Sequence, residues 1–175
     1  MNSDVLSDIQ EAMDPVQRVK VWLIRQWRKE AASLVDKMLQ DRKEAERQLK
    51  HPDWTVRCTA LSILEHHWEA ASDADFAQRC EELGLRDIHP QVRSNALRSL
   101  GVCYENTNDL RIGTLLAQVV LDEMQAPEAR RGAYLGLYHV RGRCFQWPRD
   151  LNDPPTVLRI PEDIDWSFVK SFCRG

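Results

Sequence analysis

Three stretches of this 175-residue chain can be laid over one another, and that repetition constrains the fold more than any other feature. The first is His51-Pro52-Asp53-Trp54-Thr55-Val56-Arg57-Cys58-Thr59-Ala60-Leu61-Ser62-Ile63-Leu64. The second is Asp87-Ile88-His89-Pro90-Gln91-Val92-Arg93-Ser94-Asn95-Ala96-Leu97-Arg98-Ser99-Leu100, and the third is Met124-Gln125-Ala126-Pro127-Glu128-Ala129-Arg130-Arg131-Gly132-Ala133-Tyr134-Leu135-Gly136-Leu137. An arginine recurs at Arg57, Arg93 and Arg130, 36 and then 37 residues apart. An alanine follows each (Ala60, Ala96, Ala133), then a leucine (Leu64, Leu100, Leu137). A supersecondary unit that hides its apolar face against the next copy explains this period.

Each stretch reads as a turn followed by a helix. Pro52, Pro90 and Pro127 stand where a helix opens, a place where the missing amide is not needed. Val56, Ala60, Ile63 and Leu64, and then Val92, Ala96, Leu97 and Leu100, recur at helical spacing. A second helix precedes each one. Residues 41–50 open with Asp41. Residues 74–84 carry Phe76, Cys80 and Leu83, with Ser72 or Asp73 as cap. Residues 109–123 carry Ile112, Leu115, Leu116, Val119 and Val120, with Asn108 as cap.

Upstream, Asp14-Pro15 starts a helix whose apolar face runs through Val16, Val19, Leu23, Trp27, Ala31, Leu34 and Met38, with a break allowed near Ala32-Ser33. Residues 4–12 suit a further short helix. Downstream, Pro148, Pro154, Pro155 and Pro161 rule out a regular helix over 143–161. Phe145, Trp147, Val157, Leu158 and Ile160 in that stretch favour an arm lying on the helices over a free tail. A last short helix begins between Pro161 and Asp165 and carries Trp166, Phe168, Val169 and Phe172. Its simplest role is to seal the final repeat; the other is to shape or occlude a groove.

The aligned segments resemble HEAT repeats, whose turn carries an Asp and whose following helix reads Val-Arg, then Ala, then Leu. The second segment matches best, with Asp87, Val92-Arg93, Ala96 and Leu100. The first has His51 at the place of the turn Asp, and the third has Met124 there and Ala129 in place of Val. The resemblance covers residues 41–142. It implies an all-α chain forming a right-handed α-solenoid of about three HEAT-like helix pairs in a single domain. Residues 1–40 are then an N-terminal helical cap and 143–175 a C-terminal irregular arm plus short helix. It also implies that Asp87, Arg57, Arg93 and Arg130 are structural, bonding within and between repeats. The rival reading is an arginine ladder for an acidic or phosphorylated ligand.

Composition narrows function. The repeats, residues 51–142, hold nine Lys+Arg against 13 Asp+Glu. That balance argues against general nucleic-acid binding and suits a basic protein or peptide as partner. No apolar run is long enough to cross a membrane. The start of the chain lacks a signal peptide's pattern. Five cysteines without a CxxC, Cys58, Cys80, Cys103, Cys144 and Cys173, suit packed thiols in the cytoplasm.

Catalytic signals were sought and not found. The His-Glu pairs of HEAT-like di-iron hydroxylases are missing, and HEAT-like DNA glycosylases use a basic face. Glu65-His66-His67-Trp68-Glu69 is the densest polar cluster. Adjacent histidines point about 100° apart on a helix, so they do not chelate one ion, whereas Glu65 and Glu69 are spaced to share a face. The expectation is therefore no enzyme, no cofactor, no metal and no catalytic residue. Six tryptophans leave Trp22, Trp54, Trp68 and Trp147 as candidates for a partner-binding surface. The reading is a non-catalytic scaffold or adaptor that binds another protein, its oligomeric state open. The alternatives are a small immunity or antitoxin protein that blocks one partner, and a small HEAT-like enzyme such as a lyase.

Overall fold

A computed structural model describes residues 29–143 and 159–173. Among these the regular elements are all helical. They are α1 (29–40), α2 (Arg42–Gln48), α3 (Trp54–His66), a 3-10 turn (Ala70–Ser72), α4 (Ala74–Arg86), α5 (Pro90–Cys103), α6 (Leu110–Leu121), α7 (Pro127–Val140) and α8 (Trp166–Ser171). The expected helices over 4–12 and from Asp14, with Trp22, lie outside the described residues, as does the stretch holding Trp147. None of the described helices is long and apolar enough to cross a membrane.

Acidic side chains set most of the helix starts. Asp41, Asp53, Asp73 and Asp165 each accept a hydrogen bond from the amide two residues on. Asp109 accepts from the amide of Ile112 at 2.9 Å. Each satisfies a first-turn amide that has no partner inside the helix. Asp109 therefore replaces Asn108, the expected cap. Asn108 sits one residue earlier in the left-handed region, with φ of 56°. Pro90 and Pro127 are the first residues of α5 and α7 as expected. Pro52 is not in a helix, because Asp53 takes the capping place and Trp54 opens α3. Trp54 is thus the first residue of α3. Helix α1 runs through Ala32-Ser33 without a break.

The helices associate in pairs, α2 on α3, α4 on α5 and α6 on α7. The second helices then pack in series, α3 on α5 and α5 on α7. The first helices α2, α4 and α6 make at most marginal contact with one another. The recurrent small and branched residues fill the shared interior. Ala60, Leu64, Ala96, Leu100, Ala133 and Leu137 are all fully buried. Burial of a leucine side chain stabilises by about 1.5–3 kcal/mol, so the repeated positions supply much of the drive for stacking.

Helices α5 and α7 meet backbone to backbone. A Cβ on Gly132 would run into the backbone of Ser94, and one on Gly101 would meet the backbone of Gly136. A Cβ on Gly136 would lie 2.7 Å from the Leu97 carbonyl oxygen. These three glycines cost helix propensity. They return it as close interhelical contact.

Residues 159–173 lie against α6 and α7. Phe168, Val169 and Phe172 are buried. The Thr114 hydroxyl donates to the Phe172 carbonyl at 2.9 Å, and the Asp165 amide donates to the Tyr134 hydroxyl at 2.9 Å. The Arg141 guanidinium stands 4.2 Å from the centre of the Phe172 ring, a favourable cation–π contact. The terminal helix therefore covers the last helix pair.

Adding a methyl group at the α5–α7 contact should overpack it. Gly132→Ala and Gly101→Ala are each expected to lower the free energy of unfolding by about 1–3 kcal/mol or more. Ser62→Ala, on an exposed face, should change it by less than about 0.5 kcal/mol. Urea titrations followed by circular dichroism check both.

Candidate functional site

Arg57 is buried, and each of its three guanidinium nitrogens donates a hydrogen bond. Its Nε and Nη2 donate to the two carboxylate oxygens of Asp87 at 2.8 and 2.7 Å. Its Nη1 donates to the carbonyls of His51 and Pro52 at 2.7 and 2.9 Å. One side chain thus joins the turn of its own unit to the turn of the next. Such a two-point arginine–carboxylate pair is both strong and directional. Asp87 also accepts from the His89 amide at 2.8 Å.

Arg93 and Arg130 repeat the position but not the pair. Arg93 Nη1 donates to the Asp87 carbonyl at 2.8 Å, while its Nε is buried with no partner. The residue aligned with Asp87 in the third unit is Met124, 92% exposed, so no carboxylate arrives there. Arg130 Nε donates to the Val120 carbonyl at 2.8 Å, near the end of α6, where carbonyls lack helical partners. All three arginines bind turns or helix ends of the fold itself.

The Glu65–Glu69 cluster also resolves into structure. Glu65 is buried; it accepts from the Ser99 hydroxyl, and Arg98 lies 3.0 Å away. His66 Nε2 stands 3.2 Å from the same carboxylate. This is a second polar link between α3 and α5. Helix α3 ends at His66, and Glu69 lies beyond it with φ of 50°. The two glutamates therefore do not share a helix face, because the helix stops between them. His66 and His67 are exposed. The Trp68 indole donates to the Met38 carbonyl at 3.0 Å and ties the end of α3 to α1. Cys80 is buried against Cys103; the Cys103 contact first, and burial second, push its thiol well above the ordinary range. The same contact draws Cys103 down. Among the described residues no group of three or more metal-ligating side chains gathers.

Accessible features lie elsewhere. Trp54 stacks flat on His89 with ring centres 4.1 Å apart, and 39% of it stays exposed. Trp68 is half-buried, which leaves Trp54 as the more open of the two described candidates. Ile88, beside His89, is 90% exposed.

A groove of about 1250 Å³ lies between α2 and α4. Leu49, Phe76 and Leu83 supply apolar lining; Lys43, Lys50 and Arg86 supply positive charge. A smaller gap of about 300 Å³ separates α4 from α6, beside Glu81, Leu85 and Arg111. Sequence reasoning missed the groove, because a void between two helices has no local signature. Compared with protein-family models, curated proteins and solved structures, the chain matches none.

Asp87→Ala should cost about 3–5 kcal/mol of stability, because it leaves the Arg57 guanidinium buried without its countercharge. Arg93→Lys should cost only about 1 kcal/mol, since a single donor to the Asp87 carbonyl is at stake. Thermal unfolding ranks the two, and a reversed order would overturn the structural roles assigned here.

Acid should weaken the fold through its caps and surface pairs. Hydrogen bonds from the Thr55 hydroxyl and amide hold Asp53 below the usual carboxylate range. The Arg42 hydrogen bond does the same for Asp73, and Ser167 and Phe168 do it for Asp165. A pKa depressed on folding adds stability above the unfolded value of about 3.9 and loses it as pH falls through the folded value. The melting temperature should thus drop below about pH 4. Asp53→Asn, which can still cap but cannot titrate, should make the drop shallower.

Proposed function

We propose that this chain is a non-catalytic protein-binding module built as a right-handed HEAT-like α-solenoid. The groove between α2 and α4 carries the reading. At about 1250 Å³ it exceeds the roughly 300–1,000 Å³ of ordinary small-molecule pockets. Its wall mixes apolar and charged side chains, the texture of a surface that receives part of another protein. The buried polar clusters that resembled chemical sites are occupied with bonds between helices, at Arg57–Asp87 and at Glu65–Ser99. Free thiols at Cys58, Cys80, Cys103 and Cys173 suit the reducing cytoplasm.

The HEAT-like reading is supported by the way the units join. Successive turns are bonded by Arg57 and Asp87, and the recurrent Ala and Leu residues face inward together. A stack of this kind leaves long grooves between repeating helices and needs no catalytic group to be useful.

Affinity capture on the immobilised chain, followed by purification and reconstitution of what it retains, tests the proposal. One protein forming a stoichiometric complex, measured by light scattering on a sizing column, is the expected result. Retention of nothing beyond a bead control, with the chain folded, would remove the proposal. The captured protein's identity would also separate a scaffold from an inhibitor of one partner.

A further inference from the structure

We propose that the groove between α2 and α4 docks an acidic amphipathic segment of the partner protein. The segment's apolar residues would meet Leu83 and Ile88 above the nearly buried Leu49 and Phe76, and its carboxylates Lys43, Lys50 and Arg86. This rests on the binding-module reading above and gives it a site and a partner chemistry.

The acidic and basic side chains of the groove are engaged unequally. The carboxylates lining it are Glu46, Asp73, Asp75, Glu82 and Asp87. Four of them are taken up internally: Arg42 pairs with Glu46 and Asp73, Arg79 with Glu82, and Arg57 with Asp87. Asp75 is the lining carboxylate left without an ion pair among the described residues. On the other side, Lys43, Lys50 and Arg86 line the groove, are exposed, and make no ion pair among the described residues. Arg42 carries one charge against two carboxylates, so one negative charge stays uncompensated there besides Asp75; against Lys43, Lys50 and Arg86 the groove's unspent charge is still positive, by about one, although the repeats as a whole are negative. An approaching segment responds to local charge within a Debye length of about 8–10 Å, not to the total.

Apolar side chains line the groove between those cations. Leu49 and Phe76 are almost fully buried and Leu83 is half-buried, so the lining is firm and apolar at depth. Ile88, 90% exposed, stands at the rim as a further apolar contact. A helix with one apolar and one acidic face answers both features, as in other helix-in-groove complexes.

Nucleic acid fits less well. A phosphate backbone offers no apolar face to the lining, whereas an amphipathic helix does.

Fluorescence anisotropy on the full chain tests the site with defined probes. One is a labelled glutamate-rich helical peptide with leucines at i, i+3, i+4 and i+7. The second is its lysine counterpart, and the third a short DNA duplex. The glutamate peptide should bind best, weaken as salt is raised, and lose at least about tenfold in affinity to Lys43→Glu/Lys50→Glu/Arg86→Glu. Lys43→Ala/Lys50→Ala/Arg86→Ala should show a smaller loss in the same direction. Lys170→Glu, on α8, should change nothing. Tighter binding of the lysine peptide or of DNA would overturn the proposal, as would no peptide binding, or affinity unaffected by both triple variants.

The captured partner separates the two levels. If it binds the charge-reversed chain as well as the wild type, the module reading stands and the groove assignment falls. If nothing is captured, both fall.

Discussion

The Arg57–Asp87 pair is the constraint that ties one repeating unit to the next at the start of the stack. Its two ends come from different helix pairs, and both are buried. Burying two charges is costly, and the attraction between them does little more than offset that cost. What the pair adds is direction. A planar guanidinium that meets both carboxylate oxygens while also holding two carbonyls of its own turn accepts one register and rejects its neighbours. Asp87 reinforces this by capping the His89 amide, and its carbonyl is held by Arg93. One residue therefore fixes the turn from which α5 departs.

The two joints of the stack use different physics. Between α3 and α5 the links are polar and stand near opposite ends of α3: Arg57–Asp87 at the start, and Glu65 with Ser99 and Arg98 at the end. Between α5 and α7 the link is steric, through Gly101, Gly132 and Gly136, and allows the backbones to touch. The spaces between the first helices differ in parallel. The gap between α2 and α4 is about 1250 Å³ and that between α4 and α6 about 300 Å³. A polar clamp spans a distance that glycine contacts close. The wider gap accompanies the clamped joint.

The repeat made much of the fold legible. Alanine and leucine at fixed offsets named residues that turn out to be buried, and Pro90 and Pro127 named two helix starts. The resemblance to HEAT repeats led to bonds between Arg57 and Asp87 even though 30 residues separate them. Other features left no trace. Glu65 stood out only as one end of a polar cluster with Glu69, because its partners Ser99 and Arg98 come from the next unit. Gly101, Gly132 and Gly136 give no sign in the sequence of the opposing backbone they meet. Asn108 and Asp109 are both good caps on paper, and the left-handed backbone at Asn108 decides between them. The groove depends on the distance between α2 and α4, which the separate sequences of those helices do not encode.

Net charge and local charge part company where the acids are already engaged. An acid bonded inside the fold offers less to a visitor than one left free. In the groove, Arg42 engages both Glu46 and Asp73. Asp87 is turned into the clamp, and Asp41 and Asp53 are oriented toward helix amides. Lysines have no comparable internal work there: Lys43 and Lys50 extend from exposed positions at either end of α2. Capping and clamping consume carboxylates specifically, because helix starts present amide donors and the first turn of α3 presents Arg57 to Asp87. A protein built this way can be acidic in composition and still present a basic groove.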